Sequence, residues 1–237
     1  MRVLAGLLFV AACLAQSSLN IPKFKTTINV EQQPIEITLW GTISPATSGA
    51  SVLALTVDLG DLQEHLTPVL AAQLKRSDPC GDRLMVEGAT IAPSAPASVL
   101  TANLNFERYA CVKAFGKQIA KRLVGGHAVI EVTLTPSLEE NDIALEAEVR
   151  KLDADGSLGE LLRSGSAGDS MRDKIAKAVE SSIQKLTDLR STLPASIGNS
   201  VSIETVRFAD SGSGRLWLSI AGEVRLPAEQ LRRAVGQ

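Results

Sequence analysis

The chain is poor in aromatic residues and has no excess of charge of either sign. Phe, Trp and Tyr make up 3% of its 237 residues, and 24 basic residues nearly balance 26 acidic ones, interspersed along the sequence. Proteins that bind nucleic acids or anionic membranes typically carry a basic stripe, often with stacking aromatics. The overall composition therefore argues against both classes. Hydrophobic residues still reach 45%, so we expect an ordered protein with an aliphatic core.

Residues of the common catalytic and metal-binding motifs are also scarce. The chain has two histidines, His65 and His127, in dissimilar surroundings. It has no nucleophile elbow, phosphate-binding glycine loop, dinucleotide motif or zinc-binding motif. Residues 153–157 faintly resemble a calcium loop but supply too few oxygen ligands for an EF-hand. We therefore expect a protein that is not an enzyme and that has no cofactor and no metal.

The beginning of the chain has the pattern of a secretory signal peptide. Arg2 supplies a positive start, and the apolar run Val3–Leu14 is too short to span a bilayer. Residues 1–17 are therefore predicted to be a signal peptide, and residues 18–237 a single domain that is periplasmic or secreted. Two alternatives stay open: a lipoprotein anchored through Cys13, since the residues before it resemble a lipobox, and an uncleaved anchor.

Removal of that segment would leave two cysteines, Cys80 and Cys111. In an oxidising compartment an even pair of cysteines usually forms a disulfide. The chain has no Cys-x-x-Cys motif, and two cysteines beside scarce histidine make a poor metal site. The sequence therefore predicts a Cys80–Cys111 disulfide.

The clearest amphipathic segment is Ser170–Leu189. Its apolar residues recur at steps of four, four, four and three, at Met171, Ile175, Val179, Ile183 and Leu186. This spacing places them on one face of an α-helix. Ser170 and Asp173 form a capping-box pattern, so we expect a long helix that begins at Ser170 and spans about residues 170–190.

A second amphipathic stretch, Asp61–Arg76, predicts another helix with an apolar face. Pro68 interrupts it, because proline removes a backbone hydrogen bond and clashes with the preceding turn. We therefore expect a short turn at the start of this stretch. The helix should then restart with Thr67 as its N-cap and Pro68 as its first residue.

Most of the remaining chain alternates apolar and polar residues, which is typical of strands. The predicted strand pairs are Ile35–Trp40, with Ile43 as an alternative end, and Val52–Leu59; Leu84–Ile91 and Val99–Val112; Ala128–Leu134 and Ile143–Leu152; and Val201–Phe208 and Leu216–Leu226. Lys113–Val124 fits either a helix or a twisted strand, and Gly125-Gly126 is expected to break the element. The order of elements predicts an α+β fold, in which an antiparallel, strongly twisted sheet of hairpins wraps around the long amphipathic helix.

Long strands around an amphipathic helix, in an exported chain with one disulfide, resemble the tubular lipid-binding (TULIP) superfamily and its bacterial relatives. The resemblance rests on Ser170–Leu189, on Leu193-Pro194, and on the closing hairpin Val201–Leu226 with its G-x-L-x-L-x-I-x-G run at Gly214–Gly222. Leu158–Gly165 is similar to a segment of uncharacterised secreted bacterial proteins. The resemblance implies a tube around a helix with lipid acyl chains between them, and it implies no catalytic residue.

The apolar faces of the two helices supply the candidate ligand-binding residues, which are Leu66, Leu70, Ile175, Val179, Ile183 and Leu186. We predict that they line a space for a lipid or another hydrophobic ligand, which the protein binds or carries. The alternative is a structural or interaction protein of the cell envelope, in which the same residues fill an ordinary core and bind nothing.

One segment indicates a further contact. Lys113, Lys117, Lys121 and Arg122 are close together in the sequence, where they could face phospholipid headgroups or form a solvated edge. Peripheral membrane contact is therefore an expectation, and nucleic acid is not an expected partner. The sequence leaves the oligomeric state open.

Overall fold

The computed structural model describes residues 18–46, 50–74, 80–114, 117–140, 142–163, 165–184 and 200–226. Within these residues, strands form two antiparallel sheets and helices pack against them. The α+β class with antiparallel hairpins is confirmed at this level, but one predicted sheet is in fact two. The predicted signal peptide, with Cys13, and the candidate lining residue Leu186 lie outside the described residues.

The first sheet has five strands in the order β1-β2-β3-β9-β8, numbered along the chain. Their bounds are β1 Leu19–Val30, β2 Gln33–Pro45, β3 Ser51–Asp58, β8 Val201–Asp210 and β9 Leu216–Val224. The predicted hairpins β2–β3 and β8–β9 are joined by antiparallel pairing of β3 with β9, in which Leu55 lies opposite Ile220. Alternation alone does not specify this long-range pairing, because it indicates which face is buried and not which strand is the neighbour.

The second sheet has four strands in sequence order, β4-β5-β6-β7. Their bounds are β4 Gly81–Ser94, β5 Ala97–Ala114, β6 Lys117–Glu139 and β7 Asp142–Ala154. The described residues of the ambiguous segment Lys113–Val124 are therefore strand, and the expected break at Gly125-Gly126 is wrong. Gly125 leaves room for the Arg122 guanidinium, which lies where a Cβ would sit and reaches Glu107 at 3.4 Å (Nε to Oε1).

The two sheets and the helices share one continuous hydrophobic core. Strand β8, at one edge of the first sheet, lies against strands of the second sheet. The Phe208 backbone N–H donates to the Pro96 carbonyl oxygen at 2.8 Å, which ties that edge to the turn between β4 and β5. The predicted domain bounds, 18–237, stay a prediction.

Helix α1 spans Gly60–Leu74 without interruption, so the predicted restart at Thr67 is wrong. Pro68 lies inside the helix, and both Pro68 and Glu64 are exposed. Pro68 has no N–H to donate, so the Glu64 carbonyl oxygen lacks its helical hydrogen bond. Because this carbonyl lies on the side facing water, water can bond it, which reduces the loss of stability. The Thr67 hydroxyl does not cap its own helix; it donates to the Ala89 carbonyl oxygen at 3.3 Å and accepts from the Ala89 N–H at 2.9 Å.

Helices α2 (Gly156–Arg163) and α3 (Ser166–Gln184) follow the second sheet. Helix α3 begins four residues earlier than predicted, so Ser170 lies inside the helix and is not its cap. Gly165, with φ of 55°, makes the turn that separates the two helices. The long-helix prediction is otherwise confirmed as far as Gln184, with its stripe buried at Met171, Ile175, Val179 and Ile183. Helix α3 packs on β7 and α1, and a sheet that wraps around it stays a prediction.

The predicted disulfide between Cys80 and Cys111 is present, with Cα atoms 5.7 Å apart. It joins the residue before β4 to the outer part of β5 and closes a loop with a sequence separation of 31. Among the described residues, no helix is both long and apolar enough to cross a bilayer.

Candidate ligand groove between two helices

Five of the six predicted lining residues belong to the buried core, to which both α1 and α3 contribute. Leu66, Leu70, Ile175, Val179 and Ile183 each have 0–1% of their surface exposed. At this exposure no water-sized space adjoins their side chains, so a ligand that reached them would have to separate the helices. Their role in binding stays a prediction, as does that of Leu186.

A groove opens to solvent where the packing of α1, α3 and β4 ends. Its volume is about 280 Å³. The apolar lining residues are Leu74, Leu84, Met171 and Ala178, and the polar ones are Gln73, Asp82, Lys174, Lys177 and Ser181. The apolar residues belong to the core or pack against it, whereas Lys177 and Ser181 are exposed. The groove therefore has an apolar inner wall and a polar rim.

Asp82 is the centre of an ion-pair cluster on that rim. Its side chain is 12% exposed. Arg108 donates to it twice, from Nε to Oδ1 at 2.6 Å and from Nη2 to Oδ2 at 3.1 Å. Lys174 Nζ donates to Oδ2 at 3.3 Å. The cluster therefore connects α3 to both β4 and β5.

The charge state of this cluster follows from its geometry. Burial by itself would raise the pKa of Asp82, but the hydrogen bonds and positive charges of Arg108 and Lys174 outweigh it and hold that pKa below its ordinary value. The hydrogen bond to Asp82 raises the pKa of Arg108. Lys177 has no ion pair or hydrogen bond within the described part of the chain. The charged residues that line the groove are therefore Lys174, Lys177 and Asp82, a net charge of +1. Outside this lining, Glu31 lies within hydrogen-bond reach of Gln73.

The sequence-based candidates did not include the rim residues. Lys174 is 92 residues from Asp82, and a single sequence gives no signal that pairs charges so far apart. Within the predicted helix, Lys174 and Lys177 have the pattern of an ordinary solvated face.

Neither of the two histidines lines this groove. His65 Nδ1 lies 2.9 Å from the Asp61 carbonyl oxygen in α1, and His127 Nδ1 lies 3.2 Å from Glu87 Oε2 on the second sheet. Each histidine thus contacts an acidic residue of its own neighbourhood. Within the described ranges, no group of three or more His, Cys, Asp or Glu residues is arranged to hold a metal ion.

Comparisons with known proteins give little guidance. No protein-family model matches the chain, and no curated protein matches it. Among solved structures, it is similar to one described as the crystal structure of lipopolysaccharide binding protein, with a TM-score of 0.39 and 7% identity. The match covers 81% of this chain and 44% of that chain. A likeness of this degree does not establish a shared fold or ligand.

Proposed function

We propose that this is a non-enzymatic protein of the periplasm or the extracellular space that binds or carries a lipid or another amphiphile. The ligand's acyl chain enters between α1 and α3 through the groove, and its polar end stays at the rim. The observation that carries this proposal is the combination of an apolar inner wall with a positive rim.

The rim favours an anionic headgroup. Lys177 is free to pair with it, and Lys174 can share its charge between Asp82 and a ligand. Charge-assisted hydrogen bonds to an anion are roughly twice as strong as neutral ones. The apolar wall leads inward from Leu74 and Met171 to Leu70 and Ile175, which belong to the same core.

The volume of the groove determines how far an acyl chain enters. About 280 Å³ is just below the ~300–1,000 Å³ typical of small-molecule sites. The groove therefore accommodates part of a long chain, and full entry requires α3 to move away from α1. In this proposal, Ile175, Val179 and Ile183 become lining residues only in the ligand-bound state, in which the sheets surround helix and ligand together.

The second candidate function is a structural or interaction protein of the cell envelope. It is favoured by the near-zero exposure of the five predicted lining residues, which is typical of a filled core. The two functions differ in whether ligand addition raises the melting temperature, because only a ligand that binds the native state stabilises it.

Native mass spectrometry of the exported protein, followed by thermal melts with and without phosphatidylglycerol, tests the proposal. The wild type should carry a lipid-sized mass adduct, and its melting temperature should rise with added lipid. Ala178→Trp should fill the groove and abolish both effects. Its cost in stability should be small, because the groove is open to solvent and has room for the indole. A wild type that carries no adduct and whose melting temperature does not change with added lipid would favour the filled-core alternative.

The matched control is Ser170→Trp, which places the same side chain at an exposed position of α3 outside the groove. It should keep the adduct and the lipid-dependent melting temperature. Equal loss in both variants would mean that the indole perturbs the helix in general and that the groove is not the site.

A further inference from the structure

The outer part of the β5–β6 hairpin extends beyond the second sheet. Strand β4 pairs with β5 only as far as Tyr109, and β7 pairs with β6 only as far as Ala128. Among the described residues, 110–114 of β5 and 117–121 of β6 therefore pair only with each other. We call these residues, together with Arg122 and Leu123 at their base, the ribbon. A two-stranded ribbon is marginally stable by itself, and the Cys80–Cys111 disulfide fastens this one to the start of β4.

The ribbon exposes aliphatic side chains that a sheet normally buries. Val112 is 55% exposed, Ile119 is 54% exposed and Leu123 is 60% exposed. Val112 and Ile119 lie directly opposite each other in the register, so their side chains lie on the same face and form a small apolar patch. Exposed aliphatic groups clustered at one projecting end are typical of an interaction surface.

The charge around this patch is of one sign. Residues 108–130 contain five Lys and Arg residues and no Asp or Glu, in a chain whose net charge is −2. Lys113 and Lys121 are exposed and have no ion pair with another described residue. The overall composition does not reveal this local excess of positive charge. In the structure, the lysines lie beside the exposed aliphatic groups. Aliphatic side chains flanked by lysines match a bilayer surface with anionic headgroups.

The ribbon is also continuous with the groove. Arg108, Ala110 and Val112 alternate onto one face of β5, and Arg108 holds Asp82 on the groove rim. At ~3.4 Å per residue, Val112 lies about 14 Å along the strand from Arg108. A bilayer that received the ribbon's aliphatic groups would therefore have its headgroups close to the groove.

We infer that the ribbon is a membrane-docking surface, which inserts Val112, Ile119 and Leu123 into the headgroup region of an anionic lipid bilayer while Lys113 and Lys121 contact lipid phosphates. This docking goes beyond the proposed ligand binding and does not require it. Docking is read from vesicle association, whereas ligand binding is read from a mass adduct, so the two can fail separately.

Co-sedimentation of the full exported chain with vesicles tests this inference. Vesicles of phosphatidylglycerol and phosphatidylcholine in equal parts should retain the wild type, and vesicles of phosphatidylcholine alone should retain much less. Raising the salt concentration should weaken the binding, because it screens the lysines from the headgroups. A wild type that does not associate with the anionic vesicles would overturn the inference.

Two double variants separate the contributions. Val112→Ser with Ile119→Ser, and Lys113→Gln with Lys121→Gln, should each weaken binding to anionic vesicles by about tenfold. The charge-matched control is Lys23→Gln with Lys25→Gln on β1, and the aliphatic control is Val52→Ser on β3. Both controls should bind like the wild type. Equal weakening by ribbon and control variants would overturn the inference.

Insertion itself has a direct readout. Ile119→Trp should gain fluorescence quenching by brominated phosphatidylglycerol beyond that of the native tryptophans, and Val52→Trp should not. A second copy of the chain is the competing occupant of the patch. A wild-type dimer that dissociates when Val112 and Ile119 are replaced by serine would overturn the inference and assign the ribbon to self-association.

Discussion

Helices α1 and α3 both bury an apolar stripe, but polar groups hold them very differently. Three side chains of α1 reach the backbones of three strands. Asp61 accepts from the Glu36 N–H of β2 at 2.7 Å, and Thr67 bonds both backbone groups of Ala89 in β4. Gln63 donates to the Ile91 carbonyl oxygen at 2.9 Å and accepts from the Leu216 N–H of β9 at 2.8 Å.

Within the described part of the chain, helix α3 is held by polar side chains at two positions, one near its middle and one at its last residue. Lys174 pairs with Asp82, and Gln184 bonds the Ile143 carbonyl oxygen at 2.8 Å and the Leu145 N–H at 3.1 Å in the edge strand β7. Between these residues, α3 is held to its neighbours by apolar packing. The difference teaches that α1 is a fixed wedge between both sheets. In the proposed function, α3 is therefore the helix that moves when a ligand enters.

Core truncation should give the largest contrast between the helices. Leu66→Ala in α1 should lower the free energy of unfolding by about 4 kcal/mol, because an anchored helix cannot close the cavity. Ile175→Ala in α3 should cost about 2–3 kcal/mol, because α3 can relax into the space. Urea denaturation measures both values. A larger cost for Ile175→Ala would contradict the ranking of the two helices.

Removing the amide anchors should give a smaller contrast in the same direction. Gln63→Leu leaves backbone groups of two sheets without their partner and should cost about 2–3 kcal/mol. Gln184→Leu affects one edge strand that water can reach and should cost about 1 kcal/mol. Thermal and urea unfolding of both variants check this expectation, and equal costs would show that the anchors of α1 are not special.

The smallest expected effect is on the pH dependence of stability. The pKa of Asp82 is lower in the folded state than in the unfolded state, where it is about 3.9. The ion pairs of Asp82 therefore stabilise the fold fully at a pH above the unfolded pKa. This contribution is lost as the pH falls through the folded pKa. Asp82→Asn should cost about 1 kcal/mol at neutral pH, and the difference from the wild type should shrink below about pH 4. A difference that stays constant with pH would mean that the ion pairs contribute nothing.

Local pattern was sufficient for part of this fold. Alternation located most strands and hairpins, the helical period identified the buried stripe from Met171 to Ile183, and the parity of cysteines predicted the disulfide. These features depend on neighbours in sequence or on simple counting, which a single chain displays directly.

The rest depends on contacts that a single sequence does not display. The pairing of β3 with β9 created one sheet from two hairpins, and nothing local to either strand specifies it. Pro68 was expected to interrupt α1, but its helix position faces water, where the lost hydrogen bond costs less. The groove rim went unpredicted because Asp82, Arg108 and Lys174 come from three separate elements.

Hydrogen exchange of α1 and α3, with and without phosphatidylglycerol vesicles, tests the central claim most directly. In the free protein, amides within residues 175–183 should exchange faster than those within residues 62–74, because fewer interactions resist local opening of α3. Bound lipid should slow the exchange in α3, leave α1 unchanged, and have no effect on α3 in the Ala178→Trp variant. Exchange in α3 that is as slow as in α1, or that does not change when lipid is added, would contradict the claim that α3 is the helix that moves.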